Sequence, residues 1–472
     1  MTRGFTTNVG IKQGDNLSPT LFNIFIDDVT DYLSENDDIV LNGVNVSTLL
    51  YADDLLILTK SPTKMQLALN KLDLYCKRWK LTINSDKTKV MVFRQRKVLP
   101  DLAFTLAGKP LEIVDTFTYL GITFSHNGNF DRAIKDMQIK AMRAMFKITS
   151  TLKSTDILNC SLYIKLFDSM IKPILLYGGQ VWSQRLLRYF LKEDFGKLDQ
   201  LPFEQLQNKL CKQALHVGKY SSNLAVRAEL GRFPLLITVA LHTIKYWVNI
   251  LKSPDKIVYA AYQEDVALDK AGQANWANLV RAILARCGLS RAWDTQVVAH
   301  PETLFKQVQT ALIEQYTNVF FGKLQSKTGN DGTSGNKLRT YVTIKTDHAF
   351  EKYLKLNMSV RATQAIAKIR ISSHDLEIER GRMTKPRPTP ANERWCKYCV
   401  DIVETEQHFV AECPLYSQIR RELVRPFPEL DVLSGKSLFT GLFTSRDPDI
   451  LCQLGIFLCR ARNKRKCLLY DK

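Results

Sequence analysis

The sequence lacks any apolar run long enough to cross a bilayer. A membrane helix needs roughly 18 uninterrupted apolar residues. The best stretch, Leu235 to Ile244, carries His242 and ends at Lys245. A secretory leader is also missing from the pattern, because Met1 to Gly10 is polar. Cysteines number ten in 472 residues and are mostly scattered, which argues against a disulfide scaffold. Cys76, Cys160, Cys211, Cys287, Cys452 and Cys459 lie in apolar or mixed segments, and Cys467 lies in a basic tail. Acidic residues are in deficit, 47 against 66 lysines and arginines, giving a net charge of +19. That excess suits a polyanionic partner, or ordinary solubility. No internal repeat is present. The pattern predicts a soluble intracellular protein of cytoplasm and nucleus, long enough for two or three domains.

The first hundred or so residues alternate helix and strand signals. Leu17 to Leu33 reads as one helix, with Ser18 and Pro19 at its start. Val46 to Leu50 and Leu55 to Thr59 form a hairpin pattern around an acidic turn. Lys64 to Trp79 reads as an amphipathic helix, Lys89 to Phe93 as a strand, and Phe117 to Phe124 contains a further strand signal that breaks at Asn127-Gly128. This order predicts an α+β domain. From Asp131 the chain reads as mainly helical. In Arg132 to Ile148, Ile134, Met137, Ala141, Met145 and Ile148 share one face, while Arg132, Lys135, Lys140, Arg143 and Lys147 gather on the other. Ser326 to Asn336 has the composition of a flexible linker.

The acidic turn is the first candidate for chemistry. Leu49-Leu50-Tyr51-Ala52-Asp53-Asp54-Leu55-Leu56-Ile57 sets two adjacent carboxylates between apolar strands, where charge is costly unless a cation relieves it. Mg²⁺ prefers such hard oxygen ligands together with substrate phosphates. Asp27-Asp28 and Asp37-Asp38 are also adjacent acids, so an exposed ornamental turn is the competing reading.

Its neighbours favour chemistry. Gln13-Gly14 with Leu17-Ser18-Pro19 and Leu21-Phe22 precedes the turn. Trp79-Lys80-Leu81 through Asn84, Lys87-Thr88 and Val90-Met91-Val92-Phe93 follows it, and then Phe117 with Tyr119-Leu120-Gly121. In this order the blocks resemble the reverse transcriptases of retrotransposons lacking long terminal repeats, the LINE type, over roughly the first quarter of the chain. The resemblance implies an RNA-directed DNA polymerase that extends a DNA primer on an RNA template with deoxynucleotides and two Mg²⁺ ions. It implies Asp53 and Asp54 as Mg²⁺ ligands and Lys87 beside the leaving pyrophosphate. It places Tyr51 near the primer end, Gln13 and Gly14 on template and nucleotide, and Phe117, Tyr119, Leu120 and Gly121 in the hairpin that grips the primer. Arg132, Lys140, Arg143 and Lys147 become a thumb-helix face along the duplex backbone. The family's other metal-binding aspartate is expected on a strand before the Gln-Gly loop. Its absence suggests a carboxyl-terminal fragment with an incomplete two-metal site, inactive alone.

Toward the carboxyl end, Ser222 to Leu235 reads as helix, glycine stop and proline-bounded restart, and it also resembles a stretch beyond the polymerase in some of these elements. His374, in the basic and polar run Arg370 to Arg382, reads as structural or solvated. Cys396-x2-Cys399-x8-His408-x4-Cys413 suits tetrahedral Zn²⁺, with four protein ligands marking a structural site. Related elements carry a Cys-Cys-His-Cys group near this end. Trp395 and Tyr398 are placed either to stack on bases or to pack beside the metal. Arg460 to Lys466 carries five basic residues in seven, and solvation is the default reading.

The expected organisation is a partial palm of antiparallel sheet and helices over 1–128 and a helical thumb and connection over 129–325. A linker over 326–337, a basic helical segment over 338–390, a zinc-knuckle-like element over 391–425 and a helical basic tail over 426–472 complete it. The partners implied are RNA template, DNA primer or target, and deoxynucleotides, with no membrane. The rival readings are a non-enzymatic nucleic-acid-binding protein and a degenerate remnant.

Overall fold

The structure, a computed structural model, describes residues 14–34, 39–94, 101–154, 160–186, 189, 195–253, 255–325 and 337–470. Gln13 and the segment 326–336 therefore lie outside the described residues. The chain divides into two compact units. One comprises residues 1–133, 244–282 and 290–299; the other comprises 134–243, 283–289 and 300–472.

The first unit mixes helices with small sheets. The single helix expected over Leu17 to Leu33 is two, α1 (Ser18–Ile26) and α2 (Val29–Ser34). The break falls at Asp27-Asp28, where side chains compete for the backbone and for each other. Thr30 Oγ1 donates to the Asp27 carbonyl at 3.2 Å, and the Tyr75 hydroxyl donates to Asp28 at 2.5 Å. Strands β1 (Val40–Leu41) and β2 (Val44–Asn45) form a minimal hairpin. Strands β3 (Thr48–Tyr51) and β4 (Asp54–Ile57) pair antiparallel with Tyr51 opposite Asp54. Helix α3 (Pro62–Trp79) starts where Ser61 accepts from the Lys64 amide and ends at Lys80, in the left-handed region at φ 55°.

The strand expected over Lys89 to Phe93 shortens to β5 (Lys89–Val90). It pairs parallel to β7 (Lys109–Ile113), and Lys89 and Glu112, opposite each other, form an ion pair at 2.8 Å. Strand β6 (Phe104–Leu106) completes this sheet antiparallel to β7. Finally β8 (Thr116–Tyr119) and β9 (Ile122–Ser125) form a hairpin whose Thr118 and Thr123 hydroxyls meet at 3.1 Å. Among the described residues, the antiparallel sheet anticipated for this region is thus four separate small sheets, one containing a parallel pair. Apolar clusters support the β3–β4 pair and the β5–β7–β6 sheet. Val29, Leu33, Leu72, Tyr75 and Cys76 pack with Leu50, Leu55 and Ile57, and Leu69 packs with Val90, Phe104, Leu106 and Leu111.

Helix α4 (Asp131–Ser154) follows the predicted period. Ala133, Met137, Ala141 and Met145 are buried, while Ile134 and Ile148 sit at the edge of that face. The second unit is helical. Its polar interior is built around Glu229, which accepts from the Tyr341 hydroxyl at 3.0 Å, the Tyr353 hydroxyl at 2.9 Å and Arg370 Nε at 2.5 Å. Arg370 also pairs with Glu351 at 2.8 Å and donates to the Phe443 carbonyl at 2.7 Å. The run Arg370 to Arg382, basic and polar in sequence, therefore begins with a side chain only 2% exposed. The helix, stop and restart expected over Ser222 to Leu235 are present as helices Asn223–Glu229 and Leu235–Lys252, with Gly231 at φ 57° between them. No described helix is long and apolar enough to cross a membrane.

Candidate active site and metal centre

The acidic turn is held from one side. Leu50, Leu55 and Ile57 anchor the β3–β4 hairpin on α2 and α3, and no third strand joins it among the described residues. With one face covered, the carboxylates of Asp53 and Asp54 stay exposed to water, as does the Tyr51 ring, 63% exposed. The expectation that these carboxylates are crowded between buried strands does not hold, because β3 and β4 are only half-buried. The turn itself is constrained. Ala52 has φ 52°, a left-handed conformation that a side chain with a Cβ rarely adopts and that often marks a functional turn.

The β8–β9 hairpin approaches this turn. Burial, and then the nearby Asp54 charge, push the Tyr119 hydroxyl above its ordinary range, which puts Asp54 within electrostatic reach of the second motif. Leu120 and Gly121 form the two-residue turn with φ 46° and 83°, a geometry that fits the twist of paired strands. Phe117 is half-buried opposite Phe124. Lys87 is exposed in a turn that Asn84 organises, its amide donating to Asn84 Oδ1 at 3.1 Å. Gly14 is exposed with φ 88°. On α4, Arg132, Lys135, Lys140, Arg143 and Lys147 are all exposed. That surface is not purely basic, since Met142 and Phe146 (74% exposed) share it.

The second centre is better enclosed. Cys396, Cys399, His408 and Cys413 bring one ligand atom each to within 4.8 Å of one another, an arrangement that could hold a metal ion. Sequence spacing becomes geometry through local backbone. A turn from Cys396 to Val400 (φ 61°) closes with the Val400 amide on the Cys396 carbonyl at 2.9 Å. A bridge between Trp395 and Val403 then returns the chain toward the helical turn His408–Glu412. Arg420 clamps the far side, donating to the carbonyls of Val410 and Cys413, both at 2.8 Å. The Cys413 sulfur's hydrogen bond holds the Cys396 thiol well below its usual range and pushes Cys413 up. His408 is buried, and among the described residues neither ring nitrogen has a hydrogen-bond partner, the nearest carboxylate, Glu412, being 3.7 Å from Nδ1. A buried imidazole so placed is expensive unless something accepts its lone pair. Trp395 and Tyr398, 47% and 48% exposed, point away from a fully packed position.

Two residues between the ligands were not singled out in the sequence. Glu404 accepts both Nε and Nη2 of Arg465 at 2.7 Å. Glu406 accepts from Arg339 Nη2 at 2.6 Å and the Ser372 hydroxyl at 2.9 Å, and it lies 2.8 Å from His374 Nε2. His374 is therefore structural and buried. The basic tail is not simply solvated either: Arg465 is buried, Arg462 faces Asp375 at 3.6 Å, and Arg460 pairs with Glu422. Acidic residues at 404 and 406 gave no sequence signal, because their partners lie tens of residues away.

Comparison with known proteins bears on the segment that carries the first site. Residues 1–124 match the family model for reverse transcriptase, an RNA-dependent DNA polymerase. That span contains the acidic turn, Lys87 and both strands of the β8–β9 hairpin up to Phe124. The amino-terminal quarter of this chain is thus similar to reverse transcriptases, the resemblance its motifs carry.

Several relatives are proteins of mobile elements. An RNA-directed DNA polymerase from mobile element jockey of Drosophila melanogaster is 27% identical over 183 residues, 37% of this chain and 19% of the relative. The retrovirus-related Pol polyprotein from type-1 retrotransposable element R2 of Popillia japonica is 33% identical over 263 residues, 51% of this chain and 41% of the relative. A putative transposon-derived protein of Caenorhabditis elegans is 30% identical over 148 residues, covering 51% of that protein. The matches thus span between about a fifth and a half of these relatives.

Proposed function

We propose that the chain supplies part of an RNA-directed DNA polymerase of a retrotransposon, a partial palm and thumb, and that Asp53 and Asp54 hold Mg²⁺ with the phosphates of an incoming deoxynucleotide. The observation carrying this reading is the approach of Asp54 to Tyr119, which joins two motifs 65 residues apart in one surface. Two exposed carboxylates on a fixed hairpin suit an ion that keeps several waters and takes further oxygens from substrate. Among the described residues no third acid, histidine or cysteine joins them. When bound, the ion would lower the cost of charge on the attacking and leaving oxygens. The chain's own residues position the reactants. Tyr51 and the Phe117 to Gly121 hairpin seat the primer end against the turn, Gln13 and Gly14 contact template and nucleotide, and the Lys87 ammonium stabilises the departing pyrophosphate. Arg132, Lys140, Arg143 and Lys147 follow the duplex backbone.

The Cys396, Cys399, His408 and Cys413 set fits Zn²⁺. A tetrahedral site with Zn–S near 2.3 Å separates its sulfurs by about 3.8 Å. The Cys399–Cys413 and Cys396–Cys413 sulfurs lie 3.8 and 4.0 Å apart. Four protein ligands leave no open position, so the ion would be structural.

The test is Mg²⁺-dependent addition of deoxynucleotide to a DNA primer on an RNA template, read beside Mn²⁺ binding by electron paramagnetic resonance. Addition by the chain alone should be weak, because the two-metal site is incomplete; Asp53→Asn should remove the bound-Mn²⁺ signal and lower any such addition at least ~100-fold. Addition that survives Asp53→Asn unchanged would sink the assignment. Primer–template binding with no Mn²⁺ signal that depends on Asp53 would favour a second reading, a non-catalytic nucleic-acid binder. The exposure of both carboxylates without a third ligand keeps that reading in play.

A further inference from the structure

The helical unit contains a cavity of about 420 Å³ that no motif predicted. Its volume falls in the range of small-molecule and nucleotide sites. Lys212, Lys219, Arg227 and Lys323 line it, against a single carboxylate, Asp199. Asp199 is already engaged, accepting from Arg227 Nη1 and Asn208 Nδ2, both at 2.9 Å. Arg227 is further matched by Glu204 at 3.6 Å, so its charge is balanced inside the protein.

The lysines are not balanced in this way. Lys212 Nζ donates to the Lys219 carbonyl at 2.8 Å, and Lys337 Nζ, just outside the cavity, donates to the Tyr220 carbonyl at 2.8 Å. Lys219 Nζ lies 4.9 Å from the centre of the Tyr220 ring. Among the described residues none of these three ammonium groups forms an ion pair with a carboxylate. They converge on residues 219 and 220, both of which line the cavity. Burial holds the Lys212 ammonium below its ordinary range; the Asp199 charge opposes this and the Lys337 charge adds to it. Three cations, two of them on carbonyl oxygens and one over an aromatic ring, form a focused positive field that an anion would relieve. Beside them Tyr220 projects with 70% of its surface exposed, a stacking platform next to the charge.

We propose that this cavity binds a backbone phosphate of a single-stranded nucleic acid, with Lys212, Lys219 and Lys337 around the phosphate and an adjacent base on Tyr220. Phosphate is the shared chemistry, and a free phosphate is the other source that could satisfy the lysines. Only the strand also uses the aromatic ring. The site adds a second contact to the polymerase reading but does not require the Asp53 turn to be catalytic. Its test therefore omits deoxynucleotide and divalent cation.

The probe is a fluorescein-labelled single-stranded RNA of mixed sequence, titrated with the full chain by anisotropy at several salt concentrations. Lys436, exposed elsewhere in the same unit, provides the control for loss of one charge. Lys212→Gln/Lys219→Gln should weaken binding roughly 10-fold or more and reduce the salt slope by about 1.4, near 0.7 per lost contact on a single strand. Tyr220→Ala should weaken it roughly 5- to 100-fold with little change in slope. Lys219→Arg should retain binding, and circular dichroism of each variant should match the parent. If the double variant binds RNA with the affinity and slope of Lys436→Gln, the site is refuted. If inorganic phosphate competes at the lysines but Tyr220→Ala has no effect, the strand assignment is overturned in favour of a free phosphate.

Discussion

Gly231→Ala offers a sharp test of how the helical unit is closed. Gly231 has φ 57°, and a Cβ there would lie 2.6 Å from the Phe350 amide nitrogen and 3.0 Å from the Ala349 carbonyl carbon. The left-handed backbone alone costs roughly 1–2 kcal/mol for a residue with a Cβ. The overlap is with backbone, so it cannot be relieved by a rotamer change. It must push apart the bridge between Leu230 and Phe350 and the bond from the Glu351 amide to the Glu229 carbonyl at 3.1 Å. Overpacking of this kind costs about 1–3 kcal/mol. Together the substitution should destabilise the unit by about 2–5 kcal/mol. Gly435→Ala, in the same unit, isolates the backbone share. Its φ is 52° and its nearest neighbour, Glu412 Oε1, is at 3.5 Å, an ordinary contact. Urea unfolding followed by circular dichroism should show both variants below the parent, with Gly231→Ala lower by the overlap term. Equal midpoints for the two variants would refute the close approach of Phe350 to this turn.

Two further outcomes follow from buried groups. His348 stacks on Phe233 with ring centres 4.5 Å apart, and burial holds its imidazole down to about 4. The unfolded chain binds this proton more readily, so stability should be full above the ordinary histidine range and fall as pH drops toward 4. His348→Phe should flatten that part of the pH profile, and an unchanged profile would remove His348 as its source. Protein prepared without chelator should carry about one zinc per chain. Cys413→Ser should release it, measured by atomic emission, whereas Cys452→Ser should not; equal metal in both variants would refute the four-ligand centre.

Much of the candidate chemistry was legible because it is local. The acidic turn, the Phe117 to Gly121 hairpin and the Cys396 to Cys413 spacing each lie within a few dozen residues, and short-range backbone preferences deliver them nearly as written. Ser222 to Leu235 is similar: a serine cap, a left-handed glycine and a proline-bounded restart are all neighbour effects. The turns at Asn42-Gly43 and Ala107-Gly108, all four residues at positive φ, are equally local. The fate of charge was not legible. Arg370, Arg465 and His374 read as part of basic, polar runs, yet the fold buries them against Glu229, Glu404 and Glu406. Conversely, Asp53 and Asp54 read as crowded between apolar strands, yet they face water.

The sequence by itself determined the motifs, their order, the helical period of α4 and the four side chains that could hold a metal ion, since each depends on residues close along the chain. Tertiary structure alone decided which charges are buried and matched, and which, like Lys212, Lys219 and Lys337, gather without an ion-pair partner among the described residues. A charge costs little in water and a great deal in the interior. Its role is therefore set by whatever distant segment packs over it, and no short window of sequence contains that information.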